Sequence, residues 1–407
     1  MIPAEPTRGT STTPRGTVLI SGASVAGPAL AFWLNRHGYA VTVVEKAGTV
    51  RSGGYPIDVR GTALEVVRRM GLLERLQEVH IDLRRLTFLD GDGSEVVSLH
   101  PHAVTGGVGG RDLEVRRGDL TDALYAAVRD DVEFVFGDAI DTLDEHDHGV
   151  DVTFRGGGRR TFDIVIGADG VHSDTRQRIL GPEQQFHRYL GYCFAVFTMP
   201  NTFGLADETV MWNSPGRAAA LYAAGEGDVH AFLNFAQPEP PFEAFSDPEA
   251  QRSLLASVFA DAGWEVPGML AAMHKSDDVY FDGVSQIHLP RWSSGRVALV
   301  GDAAHAPSFL TGQGTSLALV GAYMLAASLA ERDHTAAFAA YERDTRDFVT
   351  VNQGLAGRGG ATLFPTTAEE LEQRNNRLRS LSAMPPRGRT TGAFGAHAAR
   401  SRAPDVN

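Results

Sequence analysis

Apolar residues come in two textures along this chain. The first is a set of short, nearly continuous apolar runs, at Thr17–Ser21, Ala40–Val44 and Arg296–Val300. Runs of this kind read as strands buried on both faces, as in parallel sheets. Between the first two lies a Gly-rich turn and then the helical spacing Ala29 to His37, closed by Gly38, so the pattern predicts one βαβ unit. Thr62 to Leu76 has helical spacing, and Leu86 to Leu99 alternates around Gly91-Asp92-Gly93 as a hairpin would. Residues 101–112 read as a Gly-rich loop, Asp119 to Val128 as a helix, and 132–136, 149–154 and 161–166 as strands.

The second texture runs from about 185 to 280, where aromatic-rich extended stretches (Tyr192 to Thr198, Thr209 to Asn213, Ala218 to Ala223, Val229 to Ala236) precede a helical region at 247–260. This predicts a separate, mainly antiparallel sheet. The run at 296–300 then resumes the first texture, followed by helices at 315–332 and 335–349. The expected class is α/β, with the sheet inserted into a discontinuous first domain. Its pieces are 16–75, 100–184 and 282–332; the second domain takes 76–99 and 185–281. Residues 1–15 read as a flexible leader, 333–380 as C-terminal helices and 384–407 as a mobile tail.

Composition narrows the function classes. A formal charge of −13 over 407 residues argues against nucleic acid or an anionic membrane surface as partner, since both select clustered cations. The cations are 35 arginines and two lysines, Lys46 and Lys275, which leaves forked donors for a local phosphate site. One cysteine, Cys193, cannot close an internal disulfide and reads as a core thiol. Leu317 to Ala330, the most apolar segment, falls short of the roughly 20 residues of a membrane span. A cytoplasmic location is expected, and monomer and homodimer both remain open.

Three segments carry candidate chemistry. Gly22-Ala-Ser-Val-Ala-Gly27 follows a strand, opens a helix, and precedes Glu45 at the end of the next strand. That is the context of a dinucleotide fingerprint in a Rossmann-like domain. Gly22 makes the tight turn, Ser24 stands where a small residue lets a pyrophosphate approach, and Gly27 lets helix and strand pack. Val25 and Ala26 complete the helix start, whose free N–H groups favour an anion, while Glu45, with Lys46 beside it, suits ribose hydroxyls. Gly167-Ala-Asp169-Gly170-Val-His-Ser173 ends another strand, with Arg176 one turn on; the alternative for Asp169 is a helix cap. Gly301-Asp302-Ala-Ala-His305-Ala-Pro307 ends a third strand, and Gly312-Gln313-Gly314-Thr315 then opens a long helix.

In this order and spacing the three segments resemble the class A flavoprotein monooxygenases, the family of para-hydroxybenzoate hydroxylase and the aromatic polyketide hydroxylases, and look most like its tetracycline-inactivating branch. The resemblance spans residues 17 to about 350. It implies a GR2-type FAD domain, non-covalent FAD, transient NADPH or NADH, and O2 as co-substrate. By the same resemblance Asp302 holds a ribityl hydroxyl, Asp169 lies near the pyrophosphate and the nicotinamide path, Glu45 binds the adenosine ribose, Asp58 belongs to the cofactor set, and Arg117 reaches the flavin, with Arg116 as its rival. The helix opening at Gly314 would point its positive end at the flavin N1 and C2 carbonyl. The oxidising step is the cofactor's, a C4a-hydroperoxide, so no protein base is required. His305, in a turn of small residues, reads as structural. No metal is called for.

For the substrate, Tyr192, Phe194, Met211, Trp212, Tyr222, Phe232 and Asn234 alternate along strands, so only some can face a pocket and parity is open. Pro307 and Phe309 have a stronger claim because they follow the cofactor-contacting turn. Such a lining suits an aromatic or polycyclic small molecule. A flavin reductase or dehydrogenase on the same scaffold is the enzymatic alternative, and a small-molecule-sequestering flavoprotein the non-catalytic one.

Overall fold

The computed structural model describes residues 14–50, 54–105, 112–242, 244–245 and 247–382. Most of the leader expected at 1–15, the end of the 101–112 loop and the tail expected at 384–407 lie outside the described residues. Arg15 already donates its N–H to the Gly38 carbonyl (2.9 Å), so residue 15 belongs to the fold.

Two large sheets organise the molecule. In the first, the neighbouring strands Val297–Leu299, Ile164–Gly167, Thr17–Ser21, Ala40–Glu45 and Glu133–Phe136 run parallel, with Ser293–Ser294 antiparallel at one edge. The apolar runs are buried as their texture requires: Val18, Leu19, Ile20, Val43, Ala298 and Leu299 are all solvent-free. Helices Ala26–Arg36 and Gly314–Glu331 pack on this sheet. The second helix is long and apolar enough to cross a membrane by length and composition, but 67% of it is buried inside the molecule, in the core shared with helix His334–Gln353.

The second sheet has seven strands in the order Tyr280–Ile287, His187–Met199, Val229–Ala236, Arg217–Ala223, Glu208–Ser214, Arg85–Leu89 and Glu95–Leu99. The predicted hairpin at 86–99 thus joins it edge-on, through a parallel pairing of Arg85–Leu89 with Glu208–Ser214. Tyr280–Ile287 pairs along the long strand His187–Met199, so the sheet extends to Ile287, past the boundary drawn at 281. One face carries Cys193, Ala195, Phe197, Trp212, Leu221 and Leu233 and packs on helices Pro248–Val258 and Val266–Met273. The latter helix escapes the sequence pattern because Pro267 and Gly268 fall in its first turn, where a missing N–H costs nothing. Thr62 to Leu76 forms two helices, Thr62–Arg69 and Leu73–Glu78, separated at Gly71 with φ +74°.

Candidate active site

The carboxyl ends of four adjacent parallel strands carry the three sequence motifs and Glu45, the place where open α/β sheets bind ligands. Their turns are packed to contact. A methyl group on Gly22 (φ +108°) would strike the Ala168 carbonyl, and one on Gly27 would strike the Gly22 carbonyl. Gly301 (φ +64°) would meet Ala26 Cβ at 2.9 Å and Ala318 Cβ at 3.7 Å. The starts of the 11-residue helix Ala26–Arg36 and the 18-residue helix Gly314–Glu331 therefore flank one turn, and neither has a side-chain cap. Their first N–H groups and dipoles concentrate positive potential there.

Glu45 accepts from Ala23 N–H (2.8 Å) and Ala47 N–H (2.9 Å), fixing the Gly-rich turn; Lys46 stands exposed beside it. Arg117 opens the helix Arg117–Ala126, and its guanidinium donates to Ser24 Oγ at 2.7 Å. Arg116 turns the other way and donates to the Ala224 carbonyl (3.1 Å). Of the two arginines, Arg117 is the one in contact with the Gly22–Gly27 turn. Asp302 is accessible to solvent at the floor of the cleft, yet the surrounding protein desolvates its carboxyl and pushes its pKa up, with Arg117 opposing.

Asp169 is tied to the first turn of the following helix, whose N-cap is Ser173. Its carboxylate accepts from Ser173 Oγ (2.5 Å), Thr175 N–H (2.9 Å) and Thr175 Oγ1 (2.7 Å), which ties down the start of helix Asp174–Leu180. Gly170 (φ +86°) leaves open space where a Cβ would stand, as does Gly314. Arg176, wholly buried, donates to the carbonyls of Val171 (2.6 Å) and Ala303 (3.1 Å) and to Glu183 (2.7 Å), so it bolts the second motif to the third. His305 is buried between Trp292 and Tyr341, with Nε2 3.2 Å from the Tyr341 hydroxyl, and burial pushes its pKa down to about 4. A neutral ring so placed is structural.

The roof is the inner face of the seven-stranded sheet. Strand parity puts Tyr192, Phe194, Met211, Tyr222, Phe232 and Asn234 on that face and Trp212 on the opposite one. They do not share one pocket. Phe194 packs on Phe309 (4.6 Å between ring centroids) and Tyr280 (5.7 Å), and Phe232 meets Tyr55 at 6.5 Å. Phe309 and Tyr280 are about two-fifths exposed, as aromatic rings lining a deep cleft would be. Tyr192 instead packs on Phe364, and Met211 on Phe88 and Leu378, all under the C-terminal helices. Pro307 is buried beneath the floor, its carbonyl accepting from Gln286 (3.0 Å). Ser308, with φ +78°, takes the strained turn that aims Phe309 upward.

Two polar clusters border this cleft; Asp58 and His172 lie in segments that the sequence singled out, whereas Glu114 and Asp282 do not. Asp58 and Glu114 face each other across the two-stranded ladder Pro56–Arg60/Asp112–Arg116. Arg60 binds Asp58 at 2.8 Å, and the Tyr222 hydroxyl donates to Glu114 at 3.0 Å. Burial, then the neighbouring Asp58, push the Glu114 pKa up to about 7. Asp58 Oδ2 would lie 3.2 Å from a methyl on Gly312 (φ +62°), which sets this cluster beside the Gly312-Gln313-Gly314 turn. In the second cluster the Tyr280 hydroxyl donates to Asp282 (2.9 Å), and His172 bridges Asp282 (3.2 Å) and Glu183 (2.8 Å). The two carboxylates raise the His172 pKa to about 10, so the imidazolium clamps the Gly167–Ser173 segment to the second sheet. A period-two reading back from Arg116 would have found Glu114; nothing short of the pairing of Tyr280–Ile287 reveals Asp282.

Residues 15–351 match the family model described as an FAD binding domain. A flavin-dependent monooxygenase from an unknown prokaryotic organism is 36% identical over 367 residues, covering 88% of this chain and 94% of that protein. An uncharacterized Mycobacterium tuberculosis protein is 45% identical over 365 residues, covering 88% and 97%. The crystal structure of the tetracycline destructase Tet(55) superposes with a TM-score of 0.79 at 34% identity, covering 89% of this chain and 95% of that one.

The chain belongs to the class A FAD-dependent monooxygenases. FAD fits the residues of this monooxygenase on physical grounds. Two uncapped helix starts and Arg117 supply positive potential for a diphosphate and an electron-rich ring. Glu45 keeps acceptor capacity for ribose hydroxyls beyond its two backbone bonds. The small residues at Gly170 and Gly314 leave the approach clear.

Proposed function

We propose that this monooxygenase draws electrons from NADPH or NADH and inserts one oxygen atom of O2 into an aromatic or polycyclic small molecule, the other oxygen leaving as water. The observation that carries this reading is the aromatic cluster beside the third motif: Phe232 packs on Tyr55 and Phe194 on Tyr280 and Phe309, and the charge of Asp302 acts on both tyrosines. Bound FAD would accept the hydride and activate O2, chemistry that no side chain offers.

The chain's own residues do the rest. Arg117 and the Ala26 helix start hold the cofactor's anionic part, Glu45 its ribose, and Asp302 a hydroxyl of the linker. The Gly314 helix start would offer positive potential to negative charge on the ring of bound FAD. Phe194, Phe232 and Phe309 stack the substrate and exclude water. Tyr280 holds its proton on a hydroxyl bonded to Asp282, and Tyr222 does the same against Glu114; these are the polar handles that orient substrate oxygens. The likeness to monooxygenases and to a tetracycline destructase supports a polycyclic substrate. A cytoplasmic location, where NAD(P)H is available, completes the proposal.

The test is to follow NADPH and NADH oxidation by the FAD-loaded protein with a panel of polycyclic phenols, a tetracycline included, with and without O2. Substrate-accelerated oxidation and a product heavier by one oxygen are expected. Acceleration with an unoxygenated, reduced product would assign the reductase chemistry instead.

A further inference from the structure

A second cavity of about 500 Å³ lies between the inner face of the seven-stranded sheet and the C-terminal helices. It shares a wall with the flavin cleft. Leu310 and Phe364 line it, while Phe309, next in sequence, packs on Phe364 at 6.1 Å and faces the cleft. Tyr192 closes the same wall against Phe364 (5.9 Å).

Its charge is unusual for a chain of net −13. Arg188, Arg374 and Arg377 all line it, and among the described residues none of them pairs with a carboxylate. The one lining carboxylate, Glu370, is committed to Thr366 N–H (2.8 Å), Thr366 Oγ1 (2.7 Å) and Thr367 N–H (3.3 Å) at the start of helix Ala368–Ser382. Arg374 is only 3% exposed, and its Nε and Nη1 have no hydrogen-bond partner. Its charge is met only by the Asn213 side-chain carbonyl (2.9 Å) and the face of Phe88, 4.9 Å away. Burying a guanidinium without a counter-charge costs several kcal/mol, and a ring face offsets only part of that.

We propose that this cavity binds a flat organic anion, a carboxylate or enolate carried on a ring system, with Arg374 as its buried counter-ion and Arg188 and Arg377 at its rim. Rings fit between Tyr192, Leu310 and Phe364, and the anionic group completes the pairing that Arg374 lacks. The proposal is independent of oxygen insertion and stands or falls on binding alone.

Calorimetric titration of the FAD-loaded protein with 2-naphthoate and its neutral counterpart 2-naphthamide tests it. Naphthoate should bind one per chain and at least about tenfold more tightly than the amide, a difference of about 1.4 kcal/mol. Arg374→Gln should erase that preference while leaving the amide unchanged. Should Arg374→Gln fail to fold, the exposed pair Arg188→Gln/Arg377→Gln must shrink the preference by itself. Equal affinities in the parent protein, an undiminished preference in these variants, or loss of naphthoate in Phe232→Ala instead, which would move the anion into the cleft, overturns the proposal.

Discussion

The two sheets build their halves of the site by different means. In the parallel sheet, position is enforced by close contact at glycines: Gly22 against the Ala168 backbone, Gly27 against the Gly22 backbone, Gly301 against the Ala26 methyl. In the seven-stranded sheet it is set by parity and long-range pairing, so that Phe232 faces the cleft while Leu233 next to it is buried in the opposite core. A half made of such contacts tolerates almost no change at its glycines. A half made of alternating side chains can exchange its lining and keep its fold, which is where substrate choice can vary.

Gly27→Ala is the most severe way to break the first half. A methyl there collides with the Gly22 carbonyl, and the purified variant should retain no flavin absorbance even with FAD supplied. Next comes the parity of the second half. Leu233→Ala, in a site with no solvent exposure, should lower unfolding free energy by about 2–5 kcal/mol with KM unchanged. Phe232→Ala should do the reverse, raising KM several-fold with little change in denaturation midpoint. If both variants behave alike, the assignment of faces is wrong.

The two arginines sharpen the cofactor half. Arg117→Met removes the contact with Ser24 and the positive charge near Asp302, and FAD affinity measured by flavin fluorescence should fall about 30-fold, the lower range for truncating a buried charge contact. Arg116→Met, which loses only a bond to the Ala224 carbonyl, should leave that affinity within a few-fold.

These contrasts also mark what the residues announced in advance. The βαβ unit and the three motif turns at the ends of parallel strands were legible because glycines at fixed offsets after apolar strands leave few alternatives. The sheet was legible as strands but not as a face, since a one-residue choice of parity exchanges Trp212 for Met211. Tyr192 and Met211 carry no local sign that Phe364 and Leu378, more than 150 positions on, cover them. Asp169 carries local bonds that its motif did not announce, because Ser173 and Thr175 bring their donors to its carboxylate.

Two smaller effects probe the seam between the halves. His172 gains its raised pKa of about 10 from Asp282 and Glu183, so its contribution to stability is complete below its ordinary pKa of about 6.5 and is lost as pH rises through about 10. The half-exposed ring limits this to about 1 kcal/mol after solvent screening. His172→Gln should flatten the fall of the denaturation midpoint across that window. Glu114, with its pKa pushed up to about 7, should put an inflection near neutrality into the pH dependence of KM. Glu114→Gln should remove that inflection and leave FAD binding intact.

The most direct test of the oxygenase account is turnover of the FAD-loaded protein with NADPH or NADH in isotopically labelled O2, with mass analysis of the product. The account predicts one labelled oxygen atom per product molecule and matching consumption of the nicotinamide. Hydrogen peroxide as the sole fate of O2, with every panel compound recovered unlabelled, would contradict it.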